Sequence, residues 1–251
     1  MHFISRLIVL LFVFSLSYPV YAAREWVNPD AAPEKKAQKR APVRNPASVS
    51  KPVVENKAVS SAPLAGRLSL ETIRVCDYQL SYQDKGSGGK IDGSFFLPRV
   101  PEGYAMIGGY AQGNYHPPSD CVLAVKPANE ESISLLQVPD NWQRIWKDKG
   151  SGASKDGSVW HASPRSGDYV CLGSVAQPGY KQPTLNNYVC VHRCLVEDAP
   201  FGALVWSTKG TGSKQKLYTY KLNNSNSFYS VASKERPPFL QDLKAKTKCN
   251  F

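Results

Sequence analysis

From Arg67 onward, apolar and polar residues alternate in runs too short for a helix. Leu70-Glu71-Thr72-Ile73-Arg74-Val75, Phe95-Phe96-Leu97, Val122-Leu123-Ala124-Val125 and Leu217-Tyr218-Thr219-Tyr220 are separated by stretches containing Gly, Pro, Asn or Asp. No helical periodicity persists beyond about two turns, so the pattern predicts strands throughout.

The strand pattern repeats. Tyr82-Gln83-Asp84-Lys85-Gly86-Ser87-Gly88 returns as Trp146-Lys147-Asp148-Lys149-Gly150-Ser151-Gly152, and weakly as Trp206-Ser207-Thr208-Lys209-Gly210-Thr211-Gly212. Asp92-Gly93-Ser94 and Asp156-Gly157-Ser158 follow the first two at an offset of 64 residues. Gly103-Tyr104 through Gly108 matches Asp168-Tyr169 through Gly173, and Ala111-Gln112, Tyr115 and Pro118 match Ala176-Gln177, Tyr180 and Pro183. Matches in a fixed order mark units that bury a common core. Each unit reads as four strands joined by glycine-containing turns. The units span about 78–127, 142–196 and 201–233; the third meets Pro237-Pro238 before a fourth strand appears. Residues 68–77, carrying Leu70–Cys76, are therefore expected to complete the third unit and leave no open sheet edge.

Ahead of the repeats lie two segments of different character. Residues 1–22 carry a cation at Arg6, an apolar stretch from Leu7 to Phe14, and Val20-Tyr21-Ala22, which together read as a secretory signal peptide cleaved after Ala22. The apolar stretch falls short of the ~20 residues needed to span a bilayer. No later segment is apolar enough to do so, and the mature protein is expected to be periplasmic or secreted and not integral to the membrane. Residues 23–66, rich in Pro and Ala with the basic run Lys35-Lys36-Ala37-Gln38-Lys39-Arg40, read as a disordered tether.

Export changes the meaning of the cysteines and the charge. Cys76, Cys121, Cys171, Cys190, Cys194 and Cys249 are even in number, which in an exported chain predicts disulfides. Spacing alone does not rank the pairings. If the ends join as above, Cys76 meets Cys249, Cys171 meets Cys190 on a neighbouring strand, and Cys121–Cys194 remains. Cys190-x-x-x-Cys194 with His192 lacks the ligands to complete a metal centre, so neither metal nor cofactor is expected. The formal net charge is +11 with pI ≈ 9.3. Such a charge attracts nucleic acid through counterion release; outside the cytoplasm the polyanions at hand are lipid head groups, glycans and wall polymers.

The sequence aromatic-x-D-K-G-S-G, then D-G-S, an aromatic, Pro, G-Y and G-Y-x-x-P resembles the repeats of the vacuolar protein sorting-associated protein 62 family. It is also similar to the adaptor-binding repeats of bridge-type vacuolar sorting proteins. The resemblance covers about residues 68–233, most closely in the first two units. It implies an all-β, β-prism-like domain, with three repeated small antiparallel sheets around a pseudo-threefold axis. It further implies recognition of membrane lipid or peptide motifs rather than catalysis.

The candidate chemistry follows the repeats. Lys85, Lys149 and Lys209 occupy one turn position in all three units, where glycine-rich backbone and a cation can face phosphate or carboxylate. Tyr115 and Tyr180 follow Asn and Gly in loops, and with His116 and Lys181 they are the best ligand candidates. Trp146 and Trp206, recurring at equivalent positions, read as core. Asp84, Asp92, Asp148 and Asp156 fit turn formation better than calcium ligation or glycoside hydrolysis, since equivalent positions do not give an acid and a base different environments. His192 and Cys194 share a strand face but lack an orienting group. The sequence thus points to a non-catalytic module binding an anionic membrane surface, a glycan or an envelope protein complex. A structural subunit of an envelope-spanning assembly is the second reading, and an envelope hydrolase trails both.

Overall fold

The computed structural model describes residues 68–232 and 238–249. The expected signal peptide at 1–22, the tether at 23–66 and Pro237 of the proline pair lie outside the described residues. Apart from two 3-10 segments, Glu130–Leu135 and Arg193–Leu195, the regular structure described is strand.

The first unit holds β1 (Leu70–Val75), β2 (Tyr78–Gln83), β3 (Ser94–Pro98), β4 (Ala105–Met106), β5 (Tyr110–Gln112) and β6 (Val122–Pro127). The second repeats that order with β7 (Leu136–Gln137), β8 (Asn141–Lys147), β9 (Gly157–Ser163), β10 (Tyr169–Val170), β11 (Val175–Pro178) and β12 (Cys190–His192). The third supplies β13 (Val196–Ala199), β14 (Leu204–Ser207), β15 (Tyr218–Lys221), β16 (Phe228–Val231) and β17 (Leu240–Leu243).

Three antiparallel sheets, β2-β3-β5, β8-β9-β11 and β14-β15-β16, form a prism with one sheet per unit. Three smaller sheets, β1-β6-β4, β7-β12-β10 and β13-β17, form a second tier. The threefold relation is written in the backbone. Gly109 N–H donates to Ser174 O at 2.9 Å, Ser174 N–H to Phe228 O at 2.8 Å, and Phe228 N–H to Gly109 O at 2.9 Å, a closed ring of equivalent residues. Beside it, a Cβ on Gly108 would stand 2.6 Å from Gly173 Cα and 2.8 Å from Ser227 Cβ, so only residues this small allow the three segments to meet.

The ring divides two cores. On the prism side each unit supplies three buried side chains: Tyr82, Phe95 and Ala111; Trp146, Val159 and Ala176; Trp206, Leu217 and Phe228. Their rings meet edge to face, as Trp146–Trp206 does at 5.3 Å and 71°. On the other side lies an aliphatic core including Ile107, Leu172, Val191, Leu195 and Leu243. The inward aim of the first-strand aromatics depends on a bulge in every unit, where pairing slips between Leu80 and Tyr82, Arg144 and Trp146, and Leu204 and Trp206. The extra residue turns the aromatic into the core and leaves Leu80, Arg144 and Leu204 exposed.

Two sequence expectations are corrected by the pairing. Leu70–Val75 does not complete the third unit; β1 pairs with β6 of its own unit from Leu70↔Pro127 to Val75↔Val122. The third unit's last strand is β17, beyond the prolines, and it pairs with β13 from Val196↔Leu243 to Ala199↔Leu240. The disulfides change accordingly. The β1–β6 register sets Cys76 opposite Cys121, with Cα atoms 4.4 Å apart, which excludes Cys76–Cys249. Cys171–Cys190 forms as expected, because Val170 pairs with Val191 and the next pair outward is the two cysteines. Cys121 being taken, Cys194 is bonded to Cys249 rather than to Cys121. The two ends still meet, through the bridge Ser69↔Lys248 and the bonds Leu70 N–H to Thr247 O (2.9 Å) and Cys249 N–H to Leu68 O (2.8 Å).

Candidate functional site

Each prism sheet runs into the D-K-G-S-G turn or its third-unit counterpart, and the three turns meet at one end of the prism. Ser154 N–H donates to Lys85 O at 2.7 Å, Gly212 N–H to Ser151 O at 3.1 Å, and Lys90 N–H to Lys209 O at 2.9 Å, so each turn is bonded to the other two. Gly86, Gly150 and Gly210 follow the lysines with φ of 89°, 80° and 94°, a region that costs glycine little and other residues much. With the backbone thus turned, Lys85, Lys149 and Lys209 are all exposed around one axis. Lys90, Lys155, Lys214 and Lys216 on the same turns are exposed as well, and Lys147 is half-buried.

Buried aspartates hold this apex in place. Asp84 is 1% exposed; its Oδ1 accepts from Gly93 N–H (2.7 Å) and the Tyr115 hydroxyl (2.7 Å), its Oδ2 from Trp206 Nε1 (2.8 Å) and Ser87 Oγ (3.0 Å). A buried carboxylate with four donors is well compensated. Asp148, 3% exposed, accepts from the Tyr180 hydroxyl at 2.8 Å, and the exposed Asp156 accepts from the same hydroxyl at 3.0 Å. In the third unit Thr208 stands at this place, and its Oγ1 accepts from Leu217 N–H at 3.1 Å.

Tyr115 and Tyr180 therefore occupy equivalent positions, with half-buried rings and hydroxyls committed to carboxylates. Burial and the facing carboxylates push both phenols well above their ordinary range, so they remain protonated donors. Lys85 Nζ lies 5.0 Å from the Tyr115 ring centre and Lys147 Nζ 5.9 Å from that of Tyr180, within cation–π reach. His116 and Lys181 are exposed neighbours in the same loops. A depression of about 390 Å³ beside Tyr180 is lined by Lys147, Lys149, Asp156 and the backbone of Gly150–Ala153.

Other candidates resolve differently. Trp146 and Trp206 are core, as expected, at 1% and 0% exposure. Trp160 is also buried, its Nε1 donating to Ser158 Oγ at 2.8 Å. Cys194 is disulfide-bonded and is no nucleophile. Among the described residues, His192, Cys194 and Cys249 place ligand atoms within 4.8 Å of one another, but both sulfurs are joined in a disulfide. Sequence reading missed why Gly93 and Gly157 are glycines: a Cβ on Gly93 would strike the Trp206 ring and one on Gly157 the Tyr82 ring, each from a neighbouring unit.

With this geometry the comparisons agree. The model of vacuolar protein sorting-associated protein 62 matches residues 44–240. This chain belongs to that family. The crystal structure of GNIP1Aa from Chromobacterium piscinae is similar, with a TM-score of 0.59 and 30% identity over 72% of this chain. The alignment spans 37% of the GNIP1Aa chain, so the likeness is to one part of a longer protein. A comparison with curated proteins finds no match. Family and fold together suggest a binding or structural module. Three disulfides fit an oxidising, extracytoplasmic setting. Among the described residues no helix is long and apolar enough to cross a membrane.

Proposed function

We propose that this Vps62-family chain is a non-catalytic binding module, periplasmic or secreted, that docks through its lysine apex on an anionic lipid or glycan surface at the cell envelope. The observation that carries the reading is the placing of Lys85, Lys149 and Lys209 on three mutually bonded turns around one axis. A rigid array of cations engages a polyanionic surface with little ordering cost, and each lysine near such a surface contributes about 1 kcal/mol. The additional apex lysines strengthen the field without requiring a fixed ligand geometry. The aspartates do not cancel it, because the exposed lysines of the three turns outnumber Asp84, Asp92, Asp148 and Asp156 together.

Co-sedimentation with vesicles of phosphatidylglycerol and of phosphatidylcholine, and with an acidic polysaccharide, tests this reading. Binding to the anionic partners alone is expected, and the triple variant Lys85→Glu/Lys149→Glu/Lys209→Glu loses it by about a hundredfold or more. Salt of about 0.5 M abolishes it, because the screening length falls to a few ångströms. No binding to any of these, with recovery in a large envelope complex, would establish the structural-subunit reading instead.

A further inference from the structure

The three seams between units share a plan and differ in their filling. Where the third unit meets the first, Trp206 Nε1 donates to Asp84 at 2.8 Å, and Gly113 lies against Val205 O and Ile91, 2.9 and 3.2 Å from where a Cβ would stand. Where the second meets the third, Trp146 Nε1 donates to Ser213 Oγ at 3.2 Å, and Gln215 Oε1 accepts from Lys147 N–H at 3.4 Å. The turn register places Lys155 at the position of Ile91 and Gln215, and the strand register places Pro178 at that of Gly113. Where the first unit meets the second, these two residues line a groove of about 350 Å³ instead of closing it.

The groove has a defined chemistry. Lys85 and Lys155 are exposed cations on it, Ser154 adds a hydroxyl, and Leu80, 48% exposed, forms an apolar flank with Pro178. Its one carboxylate, Asp156, is already engaged through Oδ1 by the Tyr180 hydroxyl. Tyr82 also lines the groove and is buried against the second unit. The two tryptophans at its equivalent positions deliver their N–H groups across the seam, and the Tyr82 hydroxyl likewise faces Ser151 of the second unit.

We propose that the seam between the first and second units is a site for a phosphate ester, its charged oxygens between Lys155 and Lys85 and its carbon portion along Leu80 and Pro178. Lysine serves as a point charge for phosphate without demanding a planar partner. Lys85 lies over Tyr115, and rotation of its flexible stem exchanges that ring contact for the phosphate. This site deepens the anionic-surface reading by giving the apex one head-group-sized pocket, and the chemistry is shared by a phospholipid head group and a soluble sugar phosphate.

Titration of the protein with glycerol 1-phosphate, followed by amide shifts in NMR and by calorimetry, tests the site, with vesicles as a second arm. Saturable shifts at Lys85, Ser154 and Lys155 are expected, with neutral glycerol producing none. Lys155→Ile, which copies the first unit's Ile91, weakens binding at least about tenfold, whereas Lys246→Glu, exposed in the segment that joins the chain ends, leaves it within about twofold. Equal shifts from sulfate and glycerol 1-phosphate, or binding unchanged in Lys155→Ile with its spectrum otherwise intact, overturn the proposal. Vesicle binding without glycerol 1-phosphate binding sinks the groove and leaves the apex standing. Glycerol 1-phosphate binding without vesicle binding does the reverse and supports a soluble phosphate ester as the source.

Discussion

Trp206 of the third unit donates its indole N–H to Asp84 of the first at 2.8 Å, and the same carboxylate fixes Gly93, Ser87 and Tyr115. One residue thus ties a turn, a strand start, a loop and a neighbouring unit. Asp84→Ala strands four donors, three of them buried and one from across the seam, and is expected to cost about 4 kcal/mol or more in urea unfolding. Asp148→Ala, which releases the Tyr180 hydroxyl, is expected to cost about 1–2 kcal/mol. Equal losses at the two positions would overturn the view that the seam bond carries the difference.

Glycine is needed at Gly93 and Gly157 for space and not for backbone angle. Gly93→Ala and Gly157→Ala each press a methyl group into a buried ring of the next unit, Trp206 and Tyr82 respectively. Thermal unfolding should register about 2 kcal/mol lost at each. Gly167→Ala is the control, with nothing within 4 Å of the added carbon, and should stay within about 0.5 kcal/mol of the parent.

The seam between the second and third units contains a titrating group. The His161 ring stacks on Tyr229 at 4.5 Å, its Nε2 buried without a partner among the described residues, and the facing strand offers only the neutral Gln143 in register. Burial pulls its pKa from 6.5 to about 4, partly opposed by a backbone hydrogen bond at Ser230. As pH falls through 6.5 the unfolded chain takes up a proton that the folded chain refuses until near 4. Stability from this residue is therefore complete above that window and falls through it, by about 3 kcal/mol in all. His161→Phe keeps the stack and should flatten this dependence, read as the difference between the two proteins in urea unfolding at pH 7, 5.5 and 4.5.

The chain closes on itself through Cys194–Cys249, a bridge spanning 55 residues, and through the backbone bonds of residues 68–70 to 247–249. Cys194→Ser/Cys249→Ser should cost about 3–4 kcal/mol and raise hydrogen exchange at Leu70 and Cys249 first. The apex bonds, on the far side of the Gly109–Ser174–Phe228 ring, should keep their protection. Uniform loss of protection at both ends would show one indivisible cooperative unit.

The repeat was legible because its turns reuse the same residues: the Lys-Gly pairs, the first-strand aromatics and the D-G-S glycines survive as letters. From them the prism sheets, the burial of Trp146 and Trp206 and the bond Cys171–Cys190 could be read. Of the second tier only long strands such as β1 and β6 could be, and not their pairing, because β4, β7 and β10 are two residues long and leave no alternation to detect. Lacking that tier, β1 was assigned to the wrong unit and two disulfides followed it there. The donors to Asp84 were hidden for another reason: Trp206 lies 122 residues away and is joined to it only by the threefold packing. The open seam was hidden in the same way, since Lys155 in place of Ile91 looks like an ordinary surface exchange until the units are set side by side.

The ring of Gly109, Ser174 and Phe228 also fixes how many copies the domain can contain. Each residue gives one bond and takes one, so a chain with two units would leave a donor and an acceptor facing a void, and a fourth would have no place in the circuit. Divergence among the units is thereby free to proceed. Once copy number is locked at the axis, one seam can keep its indole bridge, another its glutamine, and the third can open toward a ligand without loosening the whole.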